Sequence, residues 1–151
     1  MVVMGTASSA SNAIALSTSW ANVFSDGLCK AEGTTSTTAI DSSYYSVSST
    51  GVVTVKKAGL YFIESQVYMY TGFTASDTTY AGISVNNDDP PQYRLIQYKV
   101  PVASTYNGVS LVRMLYLQAN DTITLKARNE TGARGTLQRY ASTHFSLTKI
   151  K

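Results

Sequence analysis

The stretch GLYFIESQVYMY, from Gly59 to Tyr70, carries more structural information than any other part of the chain. Alternate side chains of a strand point to opposite faces of a sheet. One set here is Tyr61, Ile63, Ser65, Val67 and Met69; the other is Leu60, Phe62, Glu64, Gln66, Tyr68 and Tyr70. A sheet wet on one side shows a plainly polar set. Neither set is plainly polar, because the second carries Leu60, Phe62, Tyr68 and Tyr70. A sandwich core covers one face, so something else must cover much of the other. A neighbouring subunit is the simplest cover, and an oligomeric β-sandwich is the expectation.

The composition agrees. Charged residues make up 14% of the 151 residues, well under the roughly one quarter of an average globular chain. Ser, Thr, Val and Tyr fill the gap, and β-branched and aromatic side chains suit a pleated, half-buried surface. One domain with a full-sized core is the simplest reading of the length. The net charge is +3, and the longest basic run is Lys56-Lys57, with Arg128, Arg134 and Arg139 scattered. A nucleic-acid module shows a denser basic stripe. Cys29 is the sole cysteine, which excludes an intrachain disulfide and a Cys/His zinc cluster. No run approaches the roughly 18 apolar residues of a membrane span. The start, Met1 to Thr6, lacks the basic and long apolar regions of a signal peptide, so folding in a cytosol is expected. The glycosylation patterns at Asn120 and Asn129 then read as chance matches in turns.

Residues 1–12 are small and polar and predict a mobile arm that orders only if something holds it. The domain proper is expected over 13–151. Residues 13–24 hold Ile14, Leu16, Val23 and Phe24 in a short-strand pattern, with Trp20 expected as a core anchor. Residues 25–43 read as a long surface connection with a short strand near Thr38-Ala39-Ile40. Strands are then predicted over 44–47, 52–56, 59–70, 80–86, 93–100, 108–117, 123–127 and 139–150. Turn clusters separate them, the strongest being Asn87-Asp88-Asp89-Pro90-Pro91. Eight or more short strands without a helical period make a sandwich or barrel. The strand 110–117 repeats the two-sided pattern of 59–70: Leu111, Leu115 and Leu117 share a face with Arg113, and Val112, Met114 and Tyr116 share the other.

Three blocks resemble a known family. Val53-x-Val55-x-x-x-Gly59-Leu60-Tyr61-Phe62, then Leu115-x-Leu117-x-x-x-Asp121-x-Ile123-x-Leu125, then Phe145-x-Leu147-x-x-Ile150 are similar in order and spacing to the signature of the complement C1q and tumour necrosis factor jelly-roll superfamily. Asn120 stands where that family commonly has Gly, and Asn tolerates left-handed backbone angles. The resemblance covers roughly 44–151. It implies an all-β, jelly-roll β-sandwich that is homotrimeric, with the Tyr-rich strand facing the three-fold axis. Tyr61, Phe62, Tyr68, Tyr70, Leu115 and Tyr116 are the expected trimer-interface residues. The Ser/Thr/Ala-rich look resembles small modules of this kind in bacteriophage virions, where they decorate heads or tip fibres.

Little in the chain suggests catalysis. His144 is the only histidine and has no nucleophile-elbow pattern near it, so no catalytic residue is assigned. Asn86-Asn87-Asp88-Asp89 offers oxygen ligands of the kind Ca²⁺ takes, with Asp88 and Asp89 as candidate carboxylates. It lacks the spaced pattern of a dedicated loop, and a hydrophilic hairpin is the plainer reading. No cofactor is expected. Of the many tyrosines, only loop residues such as Tyr106 read as ligand contacts.

The functional expectation is a trimeric capsid decoration or cement protein of a phage virion, made in the host cytoplasm. Its partners would be its own copies and the major capsid protein or another virion protein. The alternative is the receptor-binding tip of a tail fibre or spike. That tip would recognise a host surface glycan or protein through loops 72–79, 87–92 and 101–108.

Overall fold

Alternating apolar residues on β-branched and aromatic runs build two antiparallel sheets whose inward sets face each other. The computed structural model describes residues 2–5, 13–24, 30–31, 42–103, 107–138 and 143–151. One sheet holds β1 (Val2–Gly5), β2 (Ala13–Ala15), β4 (Lys30–Ala31), β7 (Gly59–Thr71), β10 (Asn107–Leu117), β12 (Thr136–Gln138) and β13 (His144–Lys149). The other holds β3 (Ala21–Asn22), β5 (Tyr45–Val47), β6 (Val53–Val55), β8 (Thr78–Val85), β9 (Leu95–Lys99) and β11 (Thr122–Asn129). The central order of the first is β1-β13-β7-β10 and of the second β6-β11-β8-β9. Neighbours that are distant in sequence, alternating between two sheets, give the jelly-roll connectivity.

The long strand β7 organises the first sheet. β10 pairs along one side of it, Leu117 opposite Gly59 through Asn107 opposite Met69. β13 and β12 share the other side end to end. The inward set of β7 is fully buried: Tyr61, Ile63, Ser65, Val67 and Met69. It meets Phe145 and Leu147 of β13 and the inward residues Ile83, Ile123 and Leu125 of the second sheet in one core. Tyr45 and Tyr61 pack edge to face with centroids 6.1 Å apart. Both hydroxyls are placed: Tyr61 donates to the Lys57 carbonyl, and Tyr45 accepts from the Lys149 N–H at 2.7 Å. A buried tyrosine needs such a partner.

Gly59 opens β7 because no other residue fits. A Cβ there would lie 2.2 Å from the carbonyl oxygen of Lys151, whose strand end bonds to Leu60. Asn120 adopts φ 73°, the left-handed angle foreseen for it, and its N–H reaches the Val55 carbonyl at 2.7 Å.

Several expectations need correction. Residues 2–5 of the expected mobile arm form strand β1, paired with β13 and with β4, so the fold begins before residue 13. Trp20 is half-buried and lies outside the core, edge-on to Tyr80 at 6.3 Å. The last strand begins at His144. The strand expected at Thr38–Ile40, Cys29, Tyr106 and Arg139 lie outside the described residues.

Candidate functional site: an outward sheet face and an edge cleft

The outward face of β7 and β10 is built by register. Tyr116 lies opposite Leu60, Met114 opposite Phe62, and Val112 opposite Glu64. Tyr116, Met114 and Val112 are 67%, 62% and 46% exposed, while Leu60 and Phe62 are half-buried beside them. Single exposed apolar side chains are ordinary; a contiguous cluster on a flat sheet is not. Farther along, the face turns polar through Gln66, Ser110, Gly108 and His144, with Tyr68 and Tyr70 half-buried at its end. Glu64 stands exposed at the boundary, flanked by Val112 and Ser146, and forms no ion pair among the described residues.

Two of the six expected interface residues are not on this face. Tyr61 points inward and is fully buried, because odd positions of β7 face the core. Burial raises its phenol pKa above the ordinary value, with smaller contributions from Tyr45 and Tyr44. Leu115 is also on the inward side of its strand, half-buried against the core. The period-two rule that makes Phe62, Tyr68, Tyr70 and Tyr116 outward makes Tyr61 and Leu115 inward.

β10 is an edge strand, with β7 as its only strand partner among the described residues. Exposed edges invite pairing with other chains. Arg113 partly blunts this edge. Its Nε donates to the Tyr93 carbonyl at 2.6 Å and its Nη2 to the Leu95 carbonyl at 3.3 Å, tying β10 to the start of β9 across the sandwich margin.

The segment 86–94 folds back over the outward face of β8 and β11. Asn86 and Asn87 both have positive φ, 52° and 63°, making a tight hairpin turn that Asn favours. Pro90 then settles on Gly82, where a Cβ would come within 2.6 Å of the proline ring. Ser84 Oγ donates to the Asp88 carbonyl at 2.6 Å. The buried ammonium of Lys126 donates to the Asn87 and Asp88 carbonyls at 3.0 and 2.9 Å. Asp88 accepts from the Val85 N–H at 2.8 Å and pairs with Arg94. Of the oxygens offered for Ca²⁺, one Asp88 carboxylate oxygen serves Arg94, the Asn87 and Asp88 carbonyls serve Lys126, Asn86 Oδ1 accepts from the Thr122 N–H at 2.9 Å, and Asp89 is exposed on the turn. No group of three metal-ligating side chains occurs among the described residues.

A cleft of about 440 Å³ opens at this margin, lined by Val85, Asn86, Asp88, Tyr93, Arg94, Tyr116 and Asp121 among others. Arg94 is 5% exposed, and its Nε and Nη1 are buried with no hydrogen-bond acceptor. Tyr93, 68% exposed, and Tyr116 stand at the cleft. Arg94 sits between a turn cluster and a strand, and nothing in its sequence context marks it as buried.

Two further polar clusters also escape a sequence reading. Asp77 is fully buried and accepts from Arg134 Nε and Nη2, from the N–H and hydroxyl of Thr74, and from Asn129 Nδ2. The Arg134 guanidinium chiefly holds the Asp77 carboxyl well below the usual range, against the opposing effect of burial. Arg128 lies between Trp20 and Tyr80, 5.1 and 5.0 Å from their ring centres, and 3.5 Å from Glu130. The hydrogen bond from Tyr80 to Glu130 is the main cause of its raised phenol pKa. His144 lies on the outward side of β13 in register with Gln66.

No family model matches the chain, and no curated protein matches it. Solved structures do match over nearly its whole length. The Eiger TNF structure from S. frugiperda aligns with TM-score 0.63 and 20% identity, covering 99% of this chain and 92% of that one. Murine APRIL at pH 5.0 aligns with TM-score 0.60 and 17% identity, covering 99% and 98%. A second APRIL structure, at pH 8.0, gives 0.55 and 16%, covering 99% and 97%. The likeness is one of fold: the chain is a TNF-like jelly-roll sandwich.

Proposed function

We propose that the chain is a homotrimeric structural protein that adds to a virion lattice as a capsid decoration protein. The supporting observation is the outward face of β7 and β10, where Leu60, Phe62, Val112, Met114 and Tyr116 form an apolar patch on one protomer. Burying such a surface is favourable by about 25 cal/mol per Å², less the ordering cost of association. The resemblance noted in the sequence supplies the three-fold order and the virion setting. A trimer docking on a symmetric lattice gains avidity without new kinds of contact. Light scattering of the purified protein should give three times the protomer mass. The protein added to capsids that lack it should then bind in fixed stoichiometry. A monomer at micromolar concentration refutes the assembly, and failure to bind capsids refutes the lattice role.

A second reading, the receptor-binding tip of a fibre or spike, is favoured by the cleft. Asp88 at its wall belongs to loop 87–92, one of the three loops named for that role. A tip module should adsorb to host cells and leave capsids unbound.

A further inference from the structure

We infer that the end of the sandwich around Gly59 is a docking surface for a protein face rich in carboxylates. The inference rests on the decoration reading only for the partner's identity, a site on the lattice. Lys56 and Lys57 on the turn before β7 meet Lys149 and Lys151 at the end of the last strand. Backbone bonds fix the meeting. The Leu60 N–H donates to the Lys151 carbonyl at 2.9 Å, and a Cβ on Gly59 would lie 2.7 Å from Lys149 Nζ. The Tyr61 hydroxyl donates to the Lys57 carbonyl, and the Lys56 N–H donates to the Tyr44 carbonyl at 2.8 Å. Lys56, Lys57 and Lys151 are exposed, and Lys149 is half-buried. None of the four pairs with a carboxylate among the described residues. Lys56 Nζ donates to the Ser42 carbonyl at 2.7 Å, and Lys57 Nζ lies 4.2 Å from the Tyr44 ring centre. Asp121, whose carbonyl accepts from the Val55 N–H at 3.0 Å, turns its carboxylate instead to the Gln118 N–H at 2.7 Å and to Asn86 Nδ2 at 2.8 Å.

The rest of the chain sharpens the asymmetry. Of its 12 Lys and Arg residues four stand here, and the other eight are outnumbered by nine Asp and Glu, so the excess behind the net charge of +3 sits at this end. The described arginines are engaged by their own chain: Arg94 with Asp88, Arg128 with Glu130, Arg134 with Asp77, and Arg113 with backbone carbonyls. The lysine end is therefore where cations remain for a partner. Gathered like charges repel, and a face of opposite sign relieves the repulsion at close range. Four ammoniums and no guanidinium suit single carboxylates. Arg is the residue that grips a phosphate at two points. A protein held on a duplex makes about 6–10 phosphate contacts, and four ammoniums fall short of that. The Tyr44 ring is covered by Lys57, whereas single strands need open rings on which bases stack. Complementary charge steers encounter and fixes orientation.

The test measures binding of the labelled full-length chain to capsids that lack it and, separately, to poly-L-glutamate, duplex DNA and phosphatidylserine vesicles, at about 0.05 and about 0.5 M NaCl. Binding to capsids and to polyglutamate should weaken at least tenfold at the higher salt, and at least tenfold in the double variant Lys57→Gln/Lys151→Gln. Both residues bond to the fold through their carbonyls, so this variant should keep its Tm and its oligomeric mass. The charge-matched control Lys30→Gln/Lys99→Gln, altered on β4 and β9, should stay within about twofold of the parent. An equal loss in the control, or no loss in the lysine-end variant, overturns the inference. Tighter binding to DNA or to vesicles than to polyglutamate overturns it as well. If polyglutamate is bound with the expected variant pattern while capsids are not bound at either salt, the lattice reading fails and the acidic docking surface stands. If neither is bound, both fail.

Discussion

Replacing Asp77 with Asn should cost the fold about 3 kcal/mol and flatten its acid sensitivity. The carboxylate is fully buried and accepts five donors from three segments: Thr74 N–H and Oγ1, Asn129 Nδ2, and Arg134 Nε and Nη2. It thereby ties the turn after β7 to the turn after β11. Asn keeps the shape but loses the charge, and its amide nitrogen must face at least one donor. Breaking a buried ion pair typically costs about 3–5 kcal/mol. The low end applies because the Arg134 side chain is 45% exposed and can rehydrate. For a chain of this length that is a fall in Tm of about 6–12 °C. The native carboxyl lies well below its unfolded value of about 3.9. A depressed folded pKa contributes stability that is present above the unfolded pKa and lost as pH falls through and below it. The unmodified protein should therefore weaken progressively below about pH 5, and Asp77→Asn should lose that part of the slope. Urea unfolding at fixed protein concentration between pH 3 and 7 measures both. A variant within 1 kcal/mol of the parent, or one that keeps the same acid slope, refutes the assignment of Asp77 as a structural clamp.

Met114→Asp puts a charge in the middle of the outward patch and should weaken self-association at least a hundredfold, the equivalent of about 3 kcal/mol, as read by sedimentation. Tyr61→Phe should leave the oligomeric mass untouched and cost about 1 kcal/mol in unfolding, through the lost bond to the Lys57 carbonyl; a change in mass would return Tyr61 to the seam. Gly59→Ala forces a methyl to within 2.2 Å of the Lys151 carbonyl, so amide exchange at Leu60 should rise and stability fall by about 1–3 kcal/mol.

The sandwich was legible because its signal is periodic. Alternation over 59–70 and 110–117 placed the two longest strands within a few residues of where they lie. The same alternation separates the faces, yet both faces of β7 carry large apolar side chains, so in sequence Tyr61 reads as a seam residue together with Phe62. Only the register with β13 and the packing on Tyr45 separate them. Trp20 misled for a related reason. A large apolar ring reads as core, but here an arginine and a tyrosine make a half-buried place for it on the sheet's outside. The cleft and the Asp77 clamp were illegible because their members lie far apart in the chain, Asp77 from Arg134 and Asp121 from Asn86, and neither spacing follows a motif.

The two outward faces of the sandwich are treated differently by the chain itself, and this bears on what covers each. On β8 and β11 the outward residues Ser84, Thr124 and Lys126 are buried. The segment 86–94 reaches back over Gly82 and Ser84, held by Lys126. On that face Ser84 and Lys126 bond to the covering backbone, so a short hairpin suffices. The face of β7 and β10 offers Phe62, Met114 and Tyr116, which have little to give a backbone carbonyl and gain only from matching apolar area. A loop, whose own backbone polar groups need partners, is a poor cover for such a surface. A second sheet margin with its own apolar side chains is a good one. β10 presents that kind of margin beside the same patch, so one surface of this chain can seat against another copy of itself. A heterologous contact of this sort closes into a ring when its rotation allows.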